Sequence, residues 1–395
     1  MVVTHVNHAS ILIEDNDNFI LTDPWCLSPA FGGWVQNPPP KTEQIQKILS
    51  IPPEKLKVIV SHGHDDHLDE FFIARHLTRA QLFVPQFTPN GLQKRIKSLT
   101  GVYPGELTED ATVAGTFRLS ALINNEFTDY DSIIVIEGAG GCVVHANDNW
   151  HIYPDPLISK LRSKMSRLPP SKIYFLVQFG IADCFPLNYP RLSSDEVTQL
   201  IQGRFQAYAN ATTSNIRRLG LERGYYYANQ SIYKYPEKYS NLSLYELAQA
   251  YVCAHELPFR QLTPGMTVGD SLRNEEQRPF AQAPKYDIFE HCLSYLEEFL
   301  QKRIGADYHL KLLLPKDQYI AGPNAVSLQS DRSTWQRIFI GELTLEAIII
   351  GGMGLIHKPN ERNISDLHHK LSKIAYQIQD GIRQNGIRFF LWNIA

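Results

Sequence analysis

The chain has 395 residues, 43% of them hydrophobic, 20% charged and 11% aromatic, with a formal net charge of −3. That composition is ordinary for a globular protein, and the near balance of charge argues against nucleic acid or an anionic membrane as the main partner. No apolar run reaches the roughly 18 residues needed to cross a bilayer. The stretch "MVVTHVNHASILIE" has no basic region ahead of its apolar residues, so it does not read as a secretion signal. Five scattered cysteines argue against a disulfide framework, and the expectation is a soluble cytoplasmic protein.

In chain order, "SILIE" (10–14) and "FILTD" (19–23) flank "DNDN", the turn of a hairpin. "KVIVS" (57–61) is a short apolar run, a buried strand that ends at "SHGHDDHLD" (61–69). "DEFFIARHL" (69–77) has helical spacing and "AQLFVP" (80–85) reads as the next strand. "TFRLSALI" (116–123), "DSIIVIE" (131–137), "GCVVHA" (141–146) and "KIYFLVQF" (172–179) continue the strands. The "GAGG" turn between two of them opens no helix and is no phosphate loop. A helix capped by Ser194 follows, and then "ERGYYYANQSIYKYPEKY". This region, about 190–260, reads as a helical and aromatic cover over the core, with a substrate wall as the alternative. Residues 276–395 read as a small α/β extension, with "YHLKLLLP" and "RIFIGE" as strands before a helix. Leu367, Leu371, Ile374, Ile378 and Ile382 mark the apolar face of that helix. His368 and His369 are adjacent, point apart and are not expected to form a ligand pair.

His62, His64, Asp66 and His67 form His-x-His-x-Asp-His. At the end of a strand, alternate residues can face the same way, so His62 and His64 can converge on one ion. Asp66 and His67 then sit where a turn can aim them at a second ion. A two-metal site needs such imidazoles and carboxylates around an open position. A solvated turn is the bland alternative, and three histidines at this spacing after a β-branched strand outweigh it. Asp65 reads as a turn residue and Asp69 as a helix cap.

The motif resembles the signature of the metallo-β-lactamase fold. "HASILIE…FILTDPW" also resembles the opening of that superfamily's lactonase-like and phospholipase-like branches. "LTDPWCLSPAF" (21–31), "DSIIVIEGAGGCVVHANDNW" (131–150), "RRLGLERGYYYANQSIYKYPEKY" (217–239) and "LTLEAIIIGGMGLIHKPNERN" (343–363) resemble the CMP-N-acetylneuraminate hydroxylase family without its Rieske part. The resemblance implies an α/β fold, an αββα sandwich with a dinuclear site along one edge. A catalytic domain over 1–275 would then precede the C-terminal extension. It places His62 and His64 on the first metal ion and Asp66 and His67 on the second. Asp148 in "HANDN" would bridge them, against the alternative of a turn aspartate. Where the fold usually supplies a third histidine to the first ion, this chain has "INNEFTDYD". Glu126 is the nearest strong ligand there, ahead of Asn124, Asn125 and Asp129. The last histidine of the second ion has no clear equivalent. His151 and His255 are the candidates, and each is also explained as a structural histidine.

A ligand set of His62, His64, His67, Asp66, Glu126 and Asp148 is rich in hard oxygen donors. It shifts preference from zinc towards iron or manganese. Two irons in such a set suit oxygen activation, and the resemblance is to a family named for a hydroxylation. The expectation is an O2-dependent monooxygenase acting on a small polar molecule. The chain lacks the paired Cys-x-His and Cys-x-x-His pattern of a Rieske cluster, so electrons would come from a separate donor or from the substrate. The alternative is a zinc or manganese metallohydrolase that cleaves an ester, lactone or phosphodiester through a metal-bridging hydroxide, with Asp66 or Asp148 handling the proton. A degraded site in a binding protein is a third possibility. Trp25, Trp34, Gln178, Asp183, Arg223 and Tyr225 are candidate substrate contacts. His8 is a candidate support behind the metal ligands, with core packing as the ordinary explanation.

Overall fold

The computed structural model describes residues 1–123, 131–181, 183–222, 224–227, 231–233, 244–267, 289–305, 307–319, 324–339, 341–358 and 364–385. Its first hairpin pairs Ser10–Asp15 with Asn18–Thr22. Asn16 and Asp17 close the turn at φ +48° and +60°, a left-handed geometry that Asn and Asp tolerate. Ile11 and Ile13 face one side of the hairpin and Leu12 the other, and all three are buried, so this strand has an apolar layer on each side.

The hairpin belongs to a six-stranded sheet in the order Val2–Asn7, Ser10–Asp15, Asn18–Thr22, Leu56–Ile59, Gln81–Pro85, Gly105–Leu107. The last four strands are parallel. Parallel neighbours need crossover connections, and Thr42–Ser50, Glu70–Leu77 and Gly91–Thr100 supply helical ones. A second sheet of seven strands runs Phe259–Gln261, Gly224–Tyr227, Ile173–Gln178, Gly141–His145, Ser132–Gly138, Phe117–Ile123, Thr112–Ala114.

The two sheets face each other. Ile11, Ile13, Ile59 and Phe83 of the first meet Leu119, Ile134, Ile136 and Leu176 of the second. On the outside of the first sheet, Val58 and Val84 pack with Ile48, Phe72 and Ile96 from helices. Outside the second, Ile133, Val135 and Val177 pack with Leu157, Leu161 and Ile201. The layers are helix, sheet, sheet, helix, the αββα arrangement expected from the sequence.

Three local expectations change. Gly224–Tyr227 is an inner strand of the second sheet, not a cover, with Tyr226 and Tyr227 buried. The 26-residue helix Ser194–Leu219 is capped one residue earlier than expected. Ser193 and Glu196 form a reciprocal capping box there. "RIFIGE" is not a strand, because Arg332–Phe339 is helical and buries Trp335, Ile338 and Phe339 at helical spacing.

The extension holds a three-stranded sheet of His309–Leu313, Ala325–Gln329 and Leu355–His357 and the helix Ile364–Asn385. Leu367, Leu371, Ile374, Ile378 and Ile382 are buried as expected, in the same apolar cluster as the outer face of the second sheet. Gly351 binds the extension to the loop before Trp34: a Cβ there would meet Phe31 O at 2.7 Å and Ala347 O at 2.8 Å. The boundary expected at 275/276 lies outside the described residues. Among the described residues, no helix is long and apolar enough to cross a membrane.

Candidate metal centre

The loop that follows Leu56–Ile59 is pinned at both ends. Ser61 donates to Asp23 through its amide and its hydroxyl, each at 2.7 Å. Asp69 accepts from Phe72 N at 2.9 Å as a helix cap. Its other oxygen accepts from the amides of Cys26, Leu27 and Ser28 at 3.1, 2.7 and 2.9 Å. Asp65 turns away to Arg95 and Arg383 and accepts from Phe31 N. These two carboxylates shape the loop, as the sequence suggested.

The other donors gather. His62 Nε2 and His64 Nδ1 are 2.8 Å apart. Asp148 Oδ2 lies 3.6 Å from His62 Nε2 and 4.0 Å from His64 Nδ1, while its Oδ1 lies 3.3 Å from His67 Nε2. Asp66 Oδ2 is 3.8 Å from His67 Nε2 and 3.0 Å from His8 Nε2. Two overlapping groups result, His62–His67–Asp148 and His8–Asp66–His67, each with donor atoms within 4.8 Å of one another. Asp148 presents a separate oxygen to each side, the placement a bridging carboxylate requires.

Asp66 Oδ1 is buried with no hydrogen-bond partner among the described residues, while His67 Nε2 and Asp148 Oδ1 face each other at 3.3 Å. Leaving such an atom unsatisfied costs about 1–3 kcal/mol, more when charged. Imidazole and carboxylate donors that converge in this way fit hard or borderline divalent cations.

Behind the donors lies a buried relay that the sequence reading missed. Asp23 Oδ2 meets His67 Nδ1 at 2.9 Å and His145 Nε2 at 2.8 Å. Tyr227 Oη is 2.7 Å from His145 Nδ1. Asp131 lies 3.6 Å from His62 Nδ1, and Glu346 lies 3.3 Å from His64 Nε2. The signals available were a lone Asp before Pro24 and a lone His in a strand, and neither is distinctive without the fold.

Charge and burial compete at every group. Burial opposes the charge on Asp23, yet the His67 charge holds its carboxyl far below the usual range. Asp148 is lowered against burial by the same histidine. His67 is raised against burial by Asp148, Asp66 and Asp23. Burial and its charged histidine neighbours push His62 down. Burial also opposes charge on His64, but the Glu346 carboxylate lifts it to about 9. Asp131 is pushed well up by burial and then by Asp148.

A cavity of about 290 Å³ opens onto these groups. Asp66, Asp131 and Asp148 line it on the metal side, and Gln178, Asp183, Arg204, His151 and His368 line it elsewhere. Gln178 and Asp183, two of the expected substrate contacts, thus line this cavity. Asp183 is engaged bidentately by Arg204 at 2.7 and 2.8 Å, which lowers its carboxyl against burial. His151 sits in the cavity wall beside Trp150. Trp25 is a core side chain, edge-on to His8 at 5.0 Å, and Trp34 is buried against Phe31. Tyr225 packs against the inter-sheet core near Tyr174 instead of lining the cavity. His255 is exposed and stacked on Tyr251 in a separate surface groove. The structure does not bring Trp25, Trp34, Tyr225 or His255 to the cavity lining, because packing decides which face of a strand or helix meets the site. Glu126, Asn124, Asn125, Asp129 and Arg223 lie outside the described residues. His368, set aside in the sequence, is 6% exposed with its ring against Phe185, because the last helix turns this face inward.

Residues 2–162 match the family model described as the beta-lactamase superfamily domain. A putative Rieske 2Fe-2S iron-sulfur protein of Mycolicibacterium smegmatis is 32% identical over 100 residues, 25% of this chain and 18% of that protein. A cytidine monophosphate-N-acetylneuraminic acid hydroxylase of Asterias rubens is 33% identical over 69 residues, 17% of this chain and 10% of that protein. The chain thus spans less than one fifth of the curated relatives it matches, a shorter likeness than the four stretches suggested. The crystal structure of an isothiocyanate hydrolase from Delia radicum gut bacteria is similar with a TM-score of 0.46 at 14% identity, covering 69% of this chain and 99% of that one. The family-model match thus covers less than half of the chain, in the segment that carries the histidine loop and Asp148.

Proposed function

We propose that the protein is a dinuclear metal-dependent enzyme that hydroxylates a small polar molecule with O2. The observation that carries this is Asp148, whose two oxygens face His62 and His64 on one side and His67 on the other. Together with Asp66 and the three histidines it makes a mixed set of imidazole nitrogens and carboxylate oxygens, which suits iron as well as zinc. Two ions held there would supply Lewis acidity and, as iron, redox capacity. His62 and His64 would hold one, Asp66 and His67 the other, and Asp148 both.

The cavity wall would hold the substrate. Burial pushes His151 down to about 3 and His368 to about 4, so both are neutral at pH 7 and offer a donor and an acceptor each. Arg204 and Asp183 neutralise each other. Such a wall suits hydroxyl or amide groups better than a multiply charged substrate. Asp131 lines the cavity on the metal side, where a carboxyl could exchange a proton with a bound substrate. Electrons would come from a separate donor protein or from the substrate.

The second reading is a zinc or manganese hydrolase. It is supported by the place of Asp131 in the cavity lining, from which a carboxyl could pass a proton to a leaving group. Metal analysis of protein purified without added metal discriminates. About two irons per chain, with the visible absorption of a coupled ferric pair, is the expected result. Two zincs with turnover of a generic phosphodiester or lactone would replace the hydroxylase by the hydrolase.

A further inference from the structure

The extension places a buried carboxylate against one of the candidate metal donors. Glu346 opens the short helix Glu346–Ile349 and is fully buried. Its Oε2 accepts from the Thr344 hydroxyl at 3.3 Å, and its Oε1 lies 3.3 Å from His64 Nε2. The other ring nitrogen of His64, Nδ1, faces His62 Nε2 at 2.8 Å and Asp148 Oδ2 at 4.0 Å. Glu346 is therefore behind the imidazole, on the side away from the other donors. The ring also stands edge-on to Tyr376 at 5.0 Å and Phe31 at 5.9 Å, so packing restrains its plane as well.

A histidine can present only the nitrogen that does not carry its proton. A carboxylate behind Nε2 keeps the proton there and leaves the Nδ1 lone pair free, and it fixes the ring's direction. Burying a carboxylate is costly without a partner that accepts this pairing. We propose that Glu346 is a positioning residue that holds His64 with Nδ1 presented to a metal ion. The segment after residue 340 thereby orients one donor of a centre whose named donors all come from residues 2–162. This rests on the metal reading above.

The test uses the full chain, stripped by a chelator and titrated with Zn(II) alone against a chromophoric competitor. Wild type is expected to take up two ions. E346L should weaken one of them by about 10–100-fold. E346Q keeps an acceptor oxygen and should recover most of that loss. In an H64A background, E346L should have no further effect, which a merely structural role would not produce. Wild-type affinity in E346L, or an equal loss in both backgrounds, overturns the proposal. Should E346L not fold, histidine-selective ¹⁵N spectra of zinc-loaded wild type decide. His64 carrying its proton on Nε2 supports the assignment, and the opposite tautomer overturns it. A wild type that binds no zinc overturns the metal reading along with it, whereas unchanged variants overturn the positioning role alone.

Discussion

Replacing Asp23 by Asn perturbs the relay behind the centre while preserving shape. The residue sits at φ +39°, a conformation that Asn also tolerates. The carboxylate accepts from Ser61 N and Oγ and meets His67 Nδ1 and His145 Nε2, all between 2.7 and 2.9 Å. An amide has one oxygen, so whichever way it turns, a donor faces a donor. Removing one partner of a buried charged network costs about 3–5 kcal/mol. With an unfolding entropy of about 2.1 cal/mol/K per residue, the whole chain has about 0.8 kcal/mol/K, so the melting temperature should fall by about 4–6 °C. Thermal unfolding of chelator-treated protein followed by circular dichroism measures this. Asp17→Asn, at an exposed carboxylate paired with Lys55, is the control and should shift by less than about 1 °C. Because the folded Asp23 carboxyl is held below its unfolded range, its contribution is present above that range and is lost as pH falls through the lowered value. The gap between the two proteins should therefore narrow in acid. A shift at pH 7 no larger than that of the Asp17 control would refute the reasoning.

Gly351→Ala should destabilise by about 1–3 kcal/mol, because its Cβ would meet the Phe31 and Ala347 carbonyl oxygens at 2.7 and 2.8 Å, and backbone must move. Urea unfolding checks this, and a neutral result would mean that the extension is not held tightly there. His368→Leu tests the buried imidazole in the cavity wall. Burial lowers its folded pKa from 6.5 to about 4, against the charge of Asp183, so the unfolded chain binds its proton first. The penalty is absent above pH 6.5, grows as pH falls and is complete below the folded value. The variant should therefore lose less stability between pH 7 and pH 4, by about 3 kcal/mol, when unfolding curves of both proteins are compared. Equal losses would mean that His368 is solvated.

Short-range pattern was enough for the strands and the loop. The apolar runs at 11–13 and 57–61 mark buried strands, and the three histidines at 62, 64 and 67 announce metal chemistry without a fold. Asp69 as a cap was legible too, since it acts on backbone three residues away, whereas the partners of Asp65, Phe31, Arg95 and Arg383, are distant in the chain. Tertiary structure decided what long-range packing controls. Asp23, Asp131, His145 and Glu346 come from four separate segments, and their chemistry appears only when two sheets and the extension stack around one loop. "GYYY" and "RIFIGE" were misjudged because aromatic content does not say whether a partner strand or a helical face buries them. Trp25 and Tyr225 went to the core and His368 to the cavity for the same reason. A side chain's direction depends on which neighbour its element packs against, and that neighbour can lie hundreds of residues away in the chain.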